Sequence, residues 1–272
     1  MLETQTKGAA RMATAFDHLA PANLFSLDGK VAFVTGAAGG IASGITRALA
    51  AAGARLALTD RSEKVADRAA EFVGDGVDAA SFVLDITDPK AVVMAFEQAL
   101  AHFGRIDILV NNAGVIVRKP FLEVTLDDWR RVIDTDLTAC FVAAQHAARI
   151  MVRQGSGRII NIGSIMGHVA RPDLVPYVSA KGAIAAFTRA LAADLAGTGV
   201  TVNTLAPGYI ATDFGMANNR PFHDFVTDWT PARRWGRPDD LSGPLLLLAS
   251  EAGGYINGQT LYVDGGFLSV TK

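Results

Sequence analysis

Cysteine is almost absent: a single Cys140 in 272 residues excludes an internal disulfide, and with only five histidines no Cys/His cluster stands at the spacing of a zinc site. No metal is expected. Charge of one sign is lacking too, since 25 Lys and Arg against 27 Asp and Glu leave a formal net charge of −2. The basic residues are dispersed, apart from short pairs such as Arg118-Lys119 and Arg233-Arg234, so no nucleic acid and no membrane surface is expected as a partner. The first 25 residues contain no long apolar run and read as neither a signal peptide nor a membrane anchor. Together these absences point to a cytoplasmic protein. What is present is an ordinary globular balance, 50% hydrophobic and 19% charged, in a chain long enough to bury a large core.

From Lys30 onwards short β-branched runs alternate with longer Ala/Leu-rich stretches of helical period. VAFVT (31–35), RLALTD (55–60), AASFVLD (79–85), RIDILVN (105–111), RIINIGS (158–164), VTVNTLA (200–206) and TLYVDG (260–265) read as seven strands. Near-continuous apolar strands separated by helices predict an α/β fold, a single-domain, doubly wound parallel sheet of Rossmann type with helices on both faces. Residues 1–26 are expected to be an N-terminal extension without fixed structure, with Met12 as an alternative start, and 27–272 a single domain. No internal repeat is visible.

The first strand runs into TGAAGGIA (35–42), where Gly36 and Gly40 allow a tight turn and close approach of backbone to a pyrophosphate resting on the helix that begins near Gly39. Ala38 and Ile41 belong to the same turn. Asp60 closes the second strand, where a carboxylate accepts hydrogen bonds from both hydroxyls of an adenosine ribose and repels a 2′-phosphate. That favours NAD over NADP, although Arg61 follows at once and could pair with a 2′-phosphate. Asp85 with Ile86, and Asn112-Ala113-Gly114, end the third and fourth strands on the side where such sheets bind ligands. Pro207, Gly208, Ile210 and Thr212 stand at the same end of the sixth and complete the candidate cofactor contacts.

The densest chemistry lies in NIGSIMGHVARPDLVPYVSAK (161–181). Tyr177 and Lys181 are four residues apart on a predicted helix, so an ammonium can sit beside a phenol and favour its ionised form. Bringing a Tyr pKa from about 10 to roughly 7.5 requires about 3.4 kcal/mol. Ser164 ends a strand, where its hydroxyl can point into the cleft at which that helix begins. Alone, Y-x-x-x-K is a weak signal that also fits a surface pair.

TGAAGGIA, NNAG, Ser164 thirteen residues before Tyr177, YVSAK, PGYIATD (207–213) and VDGG (263–266) resemble, in order and interval, the short-chain dehydrogenase/reductase family from about Leu27 to Gly266. The resemblance implies that Tyr177 is the general acid/base, that Ser164 hydrogen-bonds the reacting oxygen, and that Lys181 holds the nicotinamide ribose while lowering the Tyr pKa. It also implies a homotetramer. In the family a fourth residue, usually Asn, completes a proton relay; here IDTDLTACF (133–141) puts Asp136 there. Its carboxylate would stabilise the Lys181 ammonium and oppose the Tyr177 phenolate. Asp136 is either tolerated, the backbone carbonyl holding the relay water, or it slows turnover.

The substrate wall is expected from the turn after Ser164, including Met166 and His168, and from residues 208–235, a candidate lid. NNAGVIVRKPF (111–121), RPF (220–222), TPARRWG (230–236) and the INGxxLYVDGG pattern (256–266) are similar to gluconate 5-dehydrogenases and related sugar-acid dehydrogenases. Arg118 could bind a sugar-acid carboxylate bidentately, or be a solvated loop charge; Arg171 is a further candidate. The expected reaction is NAD-dependent interconversion of alcohol and ketone on a sugar acid or polyol, gluconate to 5-ketogluconate first. The alternatives are an NADPH-dependent reductase of 3-oxoacyl thioesters or other carbonyls, and a nucleotide-sensing or scaffolding protein.

Overall fold

A computed structural model describes residues 16–212 and 219–271. Seven strands form one parallel sheet: β1 (Val31–Thr35), β2 (Arg55–Asp60), β3 (Ala79–Val83), β4 (Ile108–Asn111), β5 (Gly157–Ile162), β6 (Val200–Pro207) and β7 (Thr260–Val263), in spatial order β3-β2-β1-β4-β5-β6-β7. Helix α1 (Pro21–Leu24) precedes β1, and between the strands lie α2 (Gly40–Ala51), α3 (Lys64–Gly74), α4 (Pro89–Phe103), α5 (Leu126–Ile133), α6 (Ala139–Gln154), α7 (Val175–Asp194), α8 (Arg220–Trp229) and α9 (Ser242–Ala249). The expected single-domain, Rossmann-type α/β sheet is what the chain forms.

Strand alternation builds the two core layers. Ala32 and Val34 of β1, Leu56 and Leu58 of β2 and Ile108 and Val110 of β4 face Ile45, Leu49, Phe72 and Leu245 from α2, α3 and α9. Val31, Phe33, Ala57 and Leu109 point the other way, onto Val92, Phe96, Ala143 and Met151 of α4 and α6. Phe33 is fully buried and stacks on Phe96 at 4.1 Å between ring centroids, a burial contributing about 1.5–3 kcal/mol. A sheet covered on both faces explains strand sequences that are apolar throughout.

Four strands are shorter than expected; the fifth and seventh stop two residues early, at Ile162 and Val263, and the third and fourth have visible causes. The third ends at Val83, because Asp85 turns back to accept hydrogen bonds from Thr87 N–H and Oγ1, at 2.8 and 2.7 Å. The fourth begins only at Ile108: Asp107 is held by Arg105 through two hydrogen bonds and accepts from Val31 N–H at 2.9 Å. Of the expected N-terminal extension, residues 1–15 with Met12 lie outside the described residues; Asp17–Leu19 and Pro21–Leu24 form short helical turns leading to the buried Leu27.

The sheet order reverses between β1 and β4, so the connections from their C-terminal ends leave to opposite sides and open a crevice there. Asn112 fixes its floor: its Nδ2 donates to the carbonyls of Thr35 and Gly36 at 3.0 and 2.9 Å, and its N–H donates to Thr35 Oγ1. Gly36 has φ +64, and a Cβ on it would lie 2.8 Å from Ala113 Cα, so only glycine permits this approach.

Candidate active site

One side of the crevice is built by α7 and the turn that precedes it. Ser164 stands two residues beyond β5 and caps a 3-10 turn (Ile165–Gly167), its Oγ accepting from Met166 N–H at 3.1 Å. Gly167 packs this turn onto α7 so closely that a Cβ would lie 2.6 Å from the Lys181 carbonyl oxygen. The contact brings Ser164 to the first turn of α7, where the Tyr177 phenol and Ser164 hydroxyl are hydrogen-bonded. Lys181, one turn on, donates from Nζ to the Ile162 carbonyl at 3.1 Å and lies 5.6 Å from the Tyr177 ring centroid. Ser164, Tyr177 and Lys181 form one cluster.

Asp136 joins it. Between α5 and α6 the chain makes a π-helical turn (Asp134–Thr138) that directs Asp136 inward, with 0% exposure. Its Oδ1 accepts Val115 N–H at 2.7 Å and its Oδ2 lies 3.1 Å from Lys181 Nζ, an ion pair without hydrogen-bond alignment.

Burial sets the electrostatics. It opposes the Lys181 charge, but Asp136, then Tyr177 and Cys140, together hold the ammonium above the ordinary lysine range. Burial and the charge of Asp136 raise the Tyr177 pKa, and they outweigh the lowering by Lys181, Ser164 and Arg118. The expected fall of the phenol towards 7.5 rests on Lys181 together with a cationic nicotinamide, and of these the protein supplies Lys181. Asp136 is itself raised by burial, against the pull of Lys181 and the Val115 N–H. The buried Cys140 thiol is pushed up to about 12 by burial and is no nucleophile.

The cofactor side fits a dinucleotide. Helix α2 starts with no side-chain cap and no acidic residue in its first turn, leaving its first N–H groups and positive dipole end for an anion. A Cβ on Gly39 would meet only the Gly36 carbonyl at 3.5 Å, so the room beside it is open. Asp60 accepts Ala38 N–H on Oδ2 at 3.1 Å and Ser62 N–H on Oδ1 at 2.9 Å, leaving each oxygen a further acceptor site. Gly36, Gly39, Gly40, Ile41, Asp60, Asn112, Ala113, Gly114, Pro207, Gly208, Ile210 and Thr212 line the same cavity as Tyr177 and Lys181. Arg61, Asp85 and Ile86 line an adjoining groove that shares Gly36 and Asp60. Ala38 lines neither and instead ties the turn to Asp60.

The same cavity is lined by Arg118, Met166 and Arg171, three candidates from the sequence, and by Leu174, Tyr209 and Phe222. Arg118 has its basicity lowered by partial desolvation and by the nearby Arg171. The Arg171 guanidinium lies 4.2 Å from the Phe222 ring centroid and faces Tyr209. His168 packs against Tyr262 at 5.7 Å between rings, outside the cavity lining. Tyr209 and Phe222 were not individually legible; the aromatic content of 208–235 was the one signal. Tyr209 meets Phe222 and Phe267 edge-on and Trp235 at a tilt, and Phe222 meets Trp235 edge-on, which anchors α8, while 213–218 of the expected lid, Asp213 included, lie outside the described residues. Among the described residues no three His, Cys, Asp or Glu side chains group as a metal site, and no helix is long and apolar enough to cross a membrane.

Residues 36–268 match the family model described as Enoyl-(Acyl carrier protein) reductase. Gluconate 5-dehydrogenase of Gluconobacter oxydans is 39% identical over 247 residues, covering 90% of this chain and 96% of that protein. Galactitol 2-dehydrogenase (L-tagatose-forming) of Cereibacter sphaeroides is 43% identical over 248 residues, covering 90% and 97%. Reductases of 3-oxoacyl-[acyl-carrier-protein] match over the same span at 35–38%. Among solved structures, a gluconate 5-dehydrogenase from Burkholderia cenocepacia in complex with NADP and tartrate superposes with a TM-score of 0.89 at 41% identity, covering 92% of this chain and 99% of that one.

Proposed function

We propose that this chain, which belongs to the short-chain dehydrogenase/reductase family and is an alcohol/ketone oxidoreductase using NAD(P), acts on the secondary alcohol of a sugar acid or polyol, gluconate to 5-ketogluconate first. The observation that supports it most is the placement of Arg118 and Arg171 on the wall of the cavity that holds Tyr177. Guanidinium forks bind carboxylates bidentately, and a carboxylate held there lays the carbon chain of a sugar acid across the phenol. A 3-oxoacyl thioester, the substrate of the competing reading, has no charge beside its ketone to meet them.

In oxidation the Tyr177 phenolate takes the hydroxyl proton and the Ser164 hydroxyl holds the reacting oxygen. Lys181 supplies positive charge beneath both and the contact to the nicotinamide ribose. When bound, the dinucleotide supplies the hydride acceptor. The same residues run the reverse reaction, with Tyr177 giving its proton to a ketone oxygen.

NAD is the proposed cofactor in preference to NADP, because Asp60 together with Asp85 outweighs Arg61 where a 2′-phosphate would lie. The Burkholderia relative is described in complex with NADP, which keeps NADP as the competing reading. Residues 208–235 are proposed as the substrate lid, the cytoplasm as the compartment and a homotetramer as the assembly, the last from the apolar groove where Phe141 and Val152 of α6 face Phe187 and Leu191 of α7.

The test is an absorbance assay at alkaline pH with NAD and NADP in parallel, against gluconate, other sugar acids, neutral polyols and aliphatic alcohols. Reduction of NAD with sugar acids, lost in Arg118→Ala through a higher KM, is the expected result. Activity confined to neutral polyols would remove the carboxylate reading, and activity with NADP alone the Asp60 reading.

A further inference from the structure

Asp136 is fully buried, and no proton or hydride step above uses it. The fold nevertheless constrains its carboxylate closely: Val115 N–H donates to Oδ1 at 2.7 Å, a Cβ on Gly114 would lie 3.0 Å from Oδ2, and the π-helical turn directs the side chain inward. Oδ2 then sits 3.1 Å from Lys181 Nζ, the ammonium that acts on Tyr177. In a site this dry, a carboxylate on that ammonium cancels much of the field it exerts on the phenol.

We propose that Asp136 is a positioning residue that keeps Tyr177 protonated at neutral pH, so that the site donates a proton to a ketone readily and takes one from an alcohol only under alkaline conditions. The inference rests on Tyr177 being the acid/base group. The groups facing Tyr177 are Lys181 from its own helix, Ser164 from the turn after β5, Arg118 from the segment after β4 and Asp136 from the π-helical turn. Cys140 of α6 faces Lys181 and Asp136 and stays a thiol, and Tyr209 and Arg171 face Arg118. Asp136 is the one acid in this set. Its removal leaves burial alone to oppose Lys181 and Arg118 at the phenol.

The experiment is the rate–pH profile in both directions for the wild-type enzyme and Asp136→Asn. One group should give the rising limb of oxidation and the falling limb of reduction. In Asp136→Asn both limbs should move towards neutrality by about one pH unit, raising oxidation at pH 7 about tenfold, with NADH and NADPH binding by fluorescence unchanged. Limbs that stay in place overturn the proposal, as does an equal loss at every pH, which marks a merely structural role. Asp136→Ser gives the same readout if the amide does not fit. Should neither variant fold, the phenolate absorbance of cofactor-free wild type minus Tyr177→Phe decides: ionisation only above pH 10 supports the proposal, and ionisation near pH 7 overturns it. Turnover surviving in Tyr177→Phe would sink the acid/base reading itself, whereas immobile limbs with an inactive Tyr177→Phe would sink only the role of Asp136.

Discussion

Asp60 acts in two directions. Its carboxylate holds the pyrophosphate turn through Ala38 N–H and the start of the next loop through Ser62 N–H, while each oxygen keeps an acceptor site towards the crevice. Asp60→Ala should therefore weaken NAD, raising its KM by about ten- to a hundredfold if one charge-assisted hydrogen bond of about 1.5–3 kcal/mol is lost. The KM for NADP should rise less or fall, since the same change removes the repulsion of a 2′-phosphate, and kcat should hold. Parallel KM measurements check this: equal weakening of both cofactors would reduce Asp60 to a support of the turn.

Between elements, strand β5, which leads to Ser164, is tied to its neighbours by buried polar side chains. Asn111 Nδ2 of β4 donates to Asn161 Oδ1 of β5 at 2.9 Å, Asn161 Nδ2 donates to Thr188 Oγ1 of α7 at 2.9 Å, and Thr188 shares a 2.7 Å hydrogen bond with Thr204 of β6. All four side chains are buried, so none has water as a fallback. Asn161→Ala removes one hydrogen bond from Asn111, whose Nδ2 keeps the Cys140 carbonyl at 3.4 Å, and one from Thr188, which keeps Thr204, and should destabilise the fold by about 1–3 kcal/mol, each lost hydrogen bond contributing about 0.5–1.5 kcal/mol. Urea unfolding would show this as a lower midpoint at unchanged slope. Because Ser164 lies three residues beyond Asn161, kcat should fall as well; a variant of wild-type stability would mean that the chain of hydrogen bonds is not structural.

At the scale of the whole molecule, the sheet order places every C-terminal strand end on one side, and the reversal between β1 and β4 leaves the ligand crevice there. The helices α6 and α7 cover the far half of the sheet and leave Phe141 48% and Val152 42% exposed along their shared groove. A second copy seated on this groove would cover apolar side chains that single subunits leave in water. Light scattering should give four copies, and Phe141→Glu should shift the population to smaller species by placing a charge in that contact. A monomeric wild type would remove the tetramer proposal without touching the active-site reading.

Sheet, strand order of appearance and the Ser164, Tyr177 and Lys181 set were determined by the sequence alone, because two-sided burial writes itself as continuous apolar runs and helix geometry as a four-residue spacing. Glycine spacing likewise made the tight turn between β1 and α2 legible. Other features depend on contacts between residues far apart in the chain, which no local pattern encodes. The inward turn of Asp136 arises from a π-helical turn, the packing of Gly167 on α7 from a backbone approach, and the meeting of Arg171 with Phe222 from a loop and a helix, two residues 51 positions apart. His168 and Arg171 were three residues apart on the same loop, yet one faces Tyr262 and the other lines the cavity. The direction of the Tyr177 pKa also required the fold. Spacing revealed the nearby ammonium and the family resemblance set Asp136 beside it, but only three-dimensional packing decided how much water the phenol keeps and how closely that carboxylate approaches the ammonium.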